Sequence, residues 1–147
     1  MAKLRGAVTG LVETLANIKK FGERMDEEAQ RVYDDTAVRV QSEAIRSIQR
    51  GPKTGIRYGR HTASAPGEPP ATDTGALASS IARVSGKPGA AVGTALEYGK
   101  HLEFGTTDMK PRPWLFPALE SQRKFFEKRM ADIGKRSAKG LTKGTKL

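Results

Sequence analysis

The feature that most constrains this chain is a helical periodicity between residues 23 and 49. Its mostly apolar positions recur every three or four residues, the spacing that places side chains on one face of a helix: Met25, Ala29, Val32, Thr36, Val40, Ala44 and Ile48. Gly51-Pro52 ends the pattern, because proline lacks a backbone amide and disfavours a helical conformation in the residue before it. The sequence therefore predicts a long helix over 23–49.

A shorter amphipathic pattern precedes this helix and is separated from it by Gly22. Its apolar positions keep the spacing of three and four: Leu4, Val8, Leu11, Leu15, Ile18 and Phe21. A cluster of acidic residues between 23 and 28 then stands where the dipole of a new helix favours negative charge. The sequence therefore predicts a separate helix over 7–20.

Residues 50–74 have the composition of a loop, with glycine and proline throughout. A connection of this length inside a compact domain is generally either functional or disordered. Four basic residues in it, Arg50, Lys53, Arg57 and Arg60, suit contacts with a neighbouring subunit. Two interpretations stay open: an arm that contacts other subunits, and a segment that is disordered in the isolated monomer.

A short helical turn and a hairpin are predicted next. Asp73 or Thr74 caps the turn by accepting hydrogen bonds from its free amide groups. Residues 81–84 and 90–94 alternate in the manner of strands around a glycine-rich turn, which predicts an antiparallel pair.

Two further helices follow the hairpin. A short one begins at Glu97 and is closed by Gly105, since glycine is favoured just past a helix end. The last helix begins between residues 114 and 117, where proline is tolerated in the first turn. Its predicted apolar face consists of Leu115, Leu119, Phe126, Met130 and Ile133.

These elements predict an α+β fold, with long N-terminal helices and a C-terminal helix packed on a small antiparallel β-sheet. The chain has 147 residues, enough for one domain with a hydrophobic core. We expect that single domain to span 1–134 and to include the loop 50–74. Small and basic residues predominate after Gly134, so 135–147 are predicted to form a flexible basic tail.

Positive charge is concentrated near the C-terminus. The formal net charge is +10, and residues 121–147 hold nine of the 26 basic residues but only two of the 16 acidic ones. Such a block favours an acidic partner, either nucleic acid or a protein surface, although a solvated helix face is an equal interpretation. A nucleic-acid-binding protein is therefore an alternative function, but aromatic residues are not interleaved with the basic ones as a stacking platform requires.

The residue types needed for catalysis are scarce. The chain has no cysteine, and its two histidines, His61 and His101, have no second ligand at a familiar metal-binding spacing. No serine lies in a nucleophile elbow, and the glycines of 86–93 do not open a helix as a phosphate-binding loop does. We therefore expect no enzyme activity, catalytic residue, metal site or cofactor. We also expect no membrane segment and no secretion signal.

Three stretches in order carry a resemblance to a known family. They are Ser64–Ala71 with Asp73-Thr74-Gly75-Ala76-Leu77 and Ser80-Ile81, then Val92-Gly93-Thr94 with Tyr98, Leu102-Glu103-Phe104-Gly105-Thr106 and Met109, then Arg112-Pro113-Trp114-Leu115-Phe116-Pro117-Ala118-Leu119. This succession resembles the neck or tail-completion family of siphophages, the proteins that join head and tail. Trp114 departs from the family, in which phenylalanine is more usual, and the loop 50–63 is unusually basic.

The resemblance implies a ring-forming structural subunit, six-fold like the tail, that acts by binding. Its implied partners are further copies of itself, the tail terminator or tail tube protein, and the head connector or stopper proteins. The positive charge of the chain adds contact with DNA as a further expectation. It implies assembly in the host cytoplasm and a final place in the virion neck. The implied interface residues, besides the four basic ones of the loop, are Pro66, Gly67, Glu68, Asp73, Thr74, Gly75, Leu77, Ser80, Tyr98, Glu103, Phe104, Gly105, Thr106, Arg112, Pro113, Trp114 and Pro117.

Some of these motif residues also suit an ordinary core. Phe104 and Leu115 are better explained as core residues than as contacts with other proteins. Trp114 fits either role equally, since a tryptophan near an arginine often anchors an interface.

Overall fold

The computed structural model describes the backbone of residues 2–143 and the side chains of residues 10–140. Its elements follow the predicted α+β order and confirm that fold class. They are α1 (Ala2–Arg50), β1 (Arg57–Tyr58), β2 (His61–Thr62), α2 (Ala76–Ser80), β3 (Ala82–Gly86), β4 (Gly89–Gly93), α3 (Glu97–Phe104) and α4 (Phe116–Lys143).

Helix α1 is continuous, so the predicted break at Gly22 is wrong. A glycine inside a helix costs about 1 kcal/mol relative to alanine, which the hydrogen-bonded turns on both sides outweigh. The acidic residues 23–28 consequently lie in the middle of α1. One of them, Glu28, pairs with Arg136 of α4 at 3.1 Å.

Helices α1 and α4 pack antiparallel. Cross-helix contacts show the opposite chain directions: Arg136 of α4 lies against Glu28 of α1, whereas Phe126 lies against Tyr33, further along α1, with ring centroids 5.5 Å apart. Arg129 lies 4.0 Å from Asp35. Because the ion pairs are solvent-exposed, each contributes little stability, and the apolar contacts hold the helices together.

The main core lies at the C-terminal half of α1. Val40, Ala44 and Ile48 recur every four residues and form the α1 side of one buried cluster. The rest of the cluster comes from the elements around α2, α3 and α4: Leu77, Ala78, Ile81, Trp114 and Ala118. The long helix thereby holds the start of α4 next to the short elements.

The predicted hairpin is present as β3 and β4, paired from Ala82↔Gly93 to Gly86↔Gly89. Polar side chains of α1 attach it at both ends. The Gln30 amide donates to the Gly89 carbonyl at 2.8 Å, and the Gln41 amide donates to the Ile81 carbonyl at 2.8 Å.

The predicted loop 50–74 contains a second hairpin, which sequence reasoning missed. Strands β1 and β2 pair as Arg57↔Thr62 and Tyr58↔His61 around Gly59, whose φ is +60°. Strands of two residues are too short to show an alternating pattern, so composition alone indicated a loop.

The predicted side-chain cap of α2 is present only as a weak contact from Thr74. The N-cap is Gly75, with φ +76°, and the Thr74 hydroxyl only accepts a long hydrogen bond of 3.4 Å from the Ala76 amide. Asp73 is exposed. The left-handed conformation of Gly75, which glycine adopts without strain, turns the chain into α2 instead.

Helix α4 continues to Lys143, beyond the point where the sequence suggested a tail. The boundary between domain and tail at residue 134 stays a prediction, and residues 144–147 lie outside the described part of the chain. Within that part, no helix has both the length and the apolar character needed to cross a membrane.

Candidate interaction surface

Glu103 joins the second and third sequence motifs. Its buried carboxylate accepts hydrogen bonds from the backbone amides of Trp114 and Leu115 at 2.8 Å and of Phe116 at 2.9 Å. These amides lie at the start of α4, where helical backbone donors have no partner within the helix and the dipole favours negative charge. A side chain of α3 therefore fixes the position at which α4 begins.

Trp114 completes this junction from the inside. Its indole is buried, and Nε1 donates to the Gly99 carbonyl at 3.0 Å. Glycine at position 99 also leaves room for Thr94, since a Cβ atom there would lie 2.6 Å from Cγ2 of Thr94. Of the two roles open for Trp114, the indole therefore takes the core role.

An apolar depression, here called the α3–α4 groove, opens over this junction. Its volume is about 390 Å³, and its lining includes the core residue Trp114 together with Phe104, Phe116 and Leu119. The last three are 74%, 61% and 49% exposed. These exposed apolar groups make the groove a candidate interaction site.

The expectation that Phe104 belongs to the core is wrong. On α3, Gly99 and Glu103 are four residues apart and form the face turned inward. Phe104 follows Glu103 and is rotated from it by about 100°, which places it on the outer side. Leu119 was likewise expected on the packed face of α4, but Ala118 and Ile133 occupy the buried positions there.

Gly105 and Thr106 shape the return from α3 towards α4. Gly105 has φ +76°, and a Cβ atom there would lie 2.7 Å from the Met109 carbonyl oxygen, so glycine is required. The Thr106 hydroxyl accepts hydrogen bonds from the amides of Asp108 and Met109. The turn brings the Arg112 amide within 2.7 Å of the Leu102 carbonyl.

A second exposed apolar surface lies far from this groove, on the N-terminal part of α1. All side chains of residues 10–20, here called the α1 arm, are exposed. Leu11, Leu15 and Ile18 lie on one face and are 61%, 58% and 59% exposed. The sequence predicted this apolar stripe but could not show that it is exposed. Leu4 and Val8 of the same stripe lie outside the described side chains.

A comparison with models of protein families shows the family to which this chain belongs. The family model described as "Bacteriophage HK97-gp10, putative tail-component" matches residues 13–105, more than half of the chain. The chain belongs to this family of bacteriophage tail components. The resemblance to siphophage neck and tail-completion proteins is thereby confirmed. No curated protein and no solved structure matches the chain.

Membership in the HK97-gp10-like family gives the protein a structural role in the phage tail. The family is one of tail components and not of enzymes. The protein therefore belongs to the virion, and other phage structural proteins are its partners. The matched region runs from the α1 arm to Gly105, so it includes Glu103 and Phe104 but ends before α4.

The structure separates the predicted site residues of this tail component by exposure. Leu77, Glu103 and Trp114 are buried, and their side chains organise the subunit. Half-buried are Lys53, Glu68, Gly75, Ser80, Gly105, Arg112 and Pro113; exposed are Arg50, Arg57, Arg60, Pro66, Gly67, Asp73, Thr74, Tyr98, Phe104, Thr106 and Pro117. Only Glu103, Phe104 and Trp114 of the predicted set line the groove, and the basic residues of the loop do not.

The first motif is held next to the third by one backbone and one side-chain hydrogen bond. The Gly67 amide donates to the Pro111 carbonyl at 2.9 Å, and the Arg112 guanidinium donates to the Ser64 carbonyl at 3.2 Å. The three motifs that carry the family resemblance are therefore contiguous in space.

Glu68 anchors the loop internally. Its carboxylate accepts hydrogen bonds from the Thr54 hydroxyl, the Thr54 amide and the Ala65 amide. These bonds, the Thr54 hydroxyl foremost, stabilise the charged form and lower the pKa of Glu68 below its ordinary value. Because the folded-state pKa is lowered, this contribution is present above the pKa of the unfolded chain and is lost as the pH falls through the folded-state pKa.

Replacing Thr54 with alanine is expected to raise the pKa of Glu68 towards its ordinary value, because the strongest of the three hydrogen bonds is removed. An NMR titration of the Glu68 carboxyl carbon measures this. Thr54→Ser keeps the hydroxyl and should leave the pKa low. Equal pKa values in Thr54→Ala and wild type would contradict the anchoring role of the hydroxyl.

Part of the positive charge of α4 is neutralised within the subunit. Arg123 pairs with Glu120 at 2.6 Å, and Arg136 and Arg129 face acidic residues of α1. Arg129 also lies 6.0 Å from the ring centroid of Phe125, where Arg39 stacks at 3.9 Å. Less of the basic excess is therefore available to an acidic partner than the sequence suggests.

The two histidines lie on separate elements, His61 in β2 and His101 in α3. Within the described residues, no group of three or more histidine and acidic side chains is arranged to hold a metal ion.

Proposed function

We propose that the protein is a neck subunit of the virion that completes the tail and joins it to the head connector. The carrying observation is the exposed apolar α3–α4 groove, built from the residues of the family motifs in a chain that belongs to a family of tail components. The subunit acts by binding and assembles in the host cytoplasm before it enters the virion.

The proposed assembly is a closed ring, six-fold like the tail. Two separate apolar surfaces support a ring, because each subunit of a ring contacts two neighbours through different patches. In a closed ring, contacts that are weak one by one are strengthened by the high effective concentration of the tethered surfaces.

The predicted interface residues have two proposed roles in this ring. The exposed ones, such as Tyr98, Phe104 and Pro117, contact neighbouring proteins: further ring subunits, the tail terminator or tail tube protein, and the head connector or stopper. The buried ones, Leu77, Glu103 and Trp114, position those contacts. The basic residues of the loop 50–74 face acidic surfaces of the partners or DNA.

Deleting the gene from the phage tests this proposal. We expect lysates with DNA-filled heads and separate tails that do not join, because the subunit that connects them is missing. Electron microscopy of the lysate and a plaque assay measure the result. Supplying the wild-type chain from a plasmid should restore joined particles, and intact infectious particles without it would refute the proposal.

A further inference from the structure

We propose that the α1 arm of one copy of this chain docks into the α3–α4 groove of the next copy, head to tail. This inference rests on the proposed ring and identifies the contact that would close it. It assigns one occupant, a second copy of the chain, to both exposed apolar surfaces.

The arm is the continuation of a face that already packs against a helix. Leu11, Leu15 and Ile18 follow spacings of four and three, and the same seven-residue register reaches Met25 and Val32. Those later positions are half-buried and buried, on the part of α1 that pairs with α4. A seam of this register is the one by which helices pack along each other.

The described part of helix α4 does not cover the arm. Arg136 lies against Glu28 in the antiparallel pair, so Lys143, seven residues further, reaches about residue 21 of α1 at equal rise per residue. The exposed stripe lies beyond the described end of α4. A helix face of this kind is completed by a partner that presents another apolar surface.

The groove has the properties of such a partner surface. An amphipathic helix binds a hydrophobic groove through anchors at positions i, i+4 and i+7, and Leu11, Leu15 and Ile18 have that spacing. The groove presents Phe104, Phe116 and Leu119 around the buried indole of Trp114.

The arm of a subunit cannot reach its own groove. Trp114, in the groove floor, belongs to the cluster formed with Ala44 of α1. Leu15 and Ala44 lie on one uninterrupted helix, about 44 Å apart at 1.5 Å per residue. The contact must therefore join different copies through unlike surfaces, a heterologous arrangement that closes into a ring or continues as a filament. Pairing of two arms would instead leave both grooves uncovered.

Site-directed cross-linking tests the contact, because the chain contains no cysteine. Leu15→Cys and Leu119→Cys are made as single variants and as a double variant, all at exposed positions. They are treated with a short bismaleimide and analysed by denaturing electrophoresis, both as purified protein and in phage particles. Val84→Cys, an exposed position on β3 outside both surfaces, replaces either partner as the matched control.

The head-to-tail contact predicts three results. Each single variant alone stays monomeric on the gel, an equal mixture of the two gives covalent dimers only, and the double variant gives a ladder of multimers. Mixtures that contain Val84→Cys stay monomeric. Dimers from Leu15→Cys alone would show arm-to-arm pairing, and an absence of dimers from the mixture in both protein and particles would also overturn the contact.

This outcome is separable from that of the proposed function. If the deletion leaves heads and tails unjoined but the cysteine mixture does not cross-link, only the docking of the arm is wrong. If the deletion has no effect but the mixture cross-links, the copies associate as inferred and the neck role is wrong.

Discussion

Replacing Trp114 with alanine is expected to lower the free energy of unfolding by about 3–5 kcal/mol, the range for truncating a buried tryptophan. The indole is 3% exposed and packs in the cluster that joins α1, α2 and the start of α4. Its removal leaves a cavity and deprives the Gly99 carbonyl of its donor. At about 2–4 °C per kcal/mol for a chain of this size, the melting temperature should fall by about 6–20 °C.

Urea unfolding followed by circular dichroism measures this loss. Trp114→Phe is the matched control, because it keeps an aromatic ring but has no indole donor. We expect it to cost about 1–1.5 kcal/mol, mainly through the lost hydrogen bond to Gly99. A Trp114→Ala variant within about 0.5 kcal/mol of wild type, the range of ordinary surface substitutions, would show that the indole is not a core anchor.

Replacing Glu103 with alanine is expected to cost about 3 kcal/mol, because three backbone amides at the start of α4 lose a charged acceptor. The effect should also reach the groove, since Phe104 and Phe116 are held on either side of this carboxylate contact. Thermal and urea unfolding measure the first effect. Hydrogen exchange at the amides of Leu115 and Phe116 measures the second, and we expect faster exchange.

Glu103→Gln separates charge from shape. The amide keeps one acceptor oxygen but presents donors where the second oxygen accepted, so we expect a loss between those of alanine and wild type, about 1–2 kcal/mol. Glu97→Gln, on the exposed first turn of the same helix, should change stability by less than about 0.5 kcal/mol. Equal losses for Glu97→Gln and Glu103→Ala would contradict the capping role.

These two side chains show that the conspicuous residues of the motifs have a structural role within the subunit. Glu103 and Trp114 act within the subunit through their hydrogen bonds to the start of α4 and to Gly99. They hold α3 against α4 so that Phe104, Phe116 and Leu119 share one exposed surface. In this protein the buried motif residues support the groove, and exposed residues next to them line it.

Local pattern was sufficient for several elements. The 23–49 helix follows from its apolar period and from Gly51-Pro52, and the β3–β4 hairpin follows from alternation around a glycine-rich turn. The helix closed by Gly105 was equally readable. The continuity of the helix through Gly22 could not be predicted from the pattern. A glycine inside a helix costs only about 1 kcal/mol, which the hydrogen-bonded turns on both sides outweigh.

Only part of the candidate site could be predicted from the sequence. Sequence motifs led to Glu103, Phe104 and Trp114, yet they could not say which aromatic side chain is buried. That depends on how α3 lies against α4: Gly99 and Glu103 form its inner face, so Phe104 is turned outward.

The sequence by itself determined the family, the α+β class and the apolar side of each long helix. Only the tertiary structure decided what each apolar side faces. The apolar periodicity depends only on the residues of one helix, whereas the burial of its apolar side depends on how far the neighbouring helix extends. The stripe of α1 is buried at Val32 beside α4 and exposed at Leu15 beyond the described end of α4, although its spacing is the same in both places.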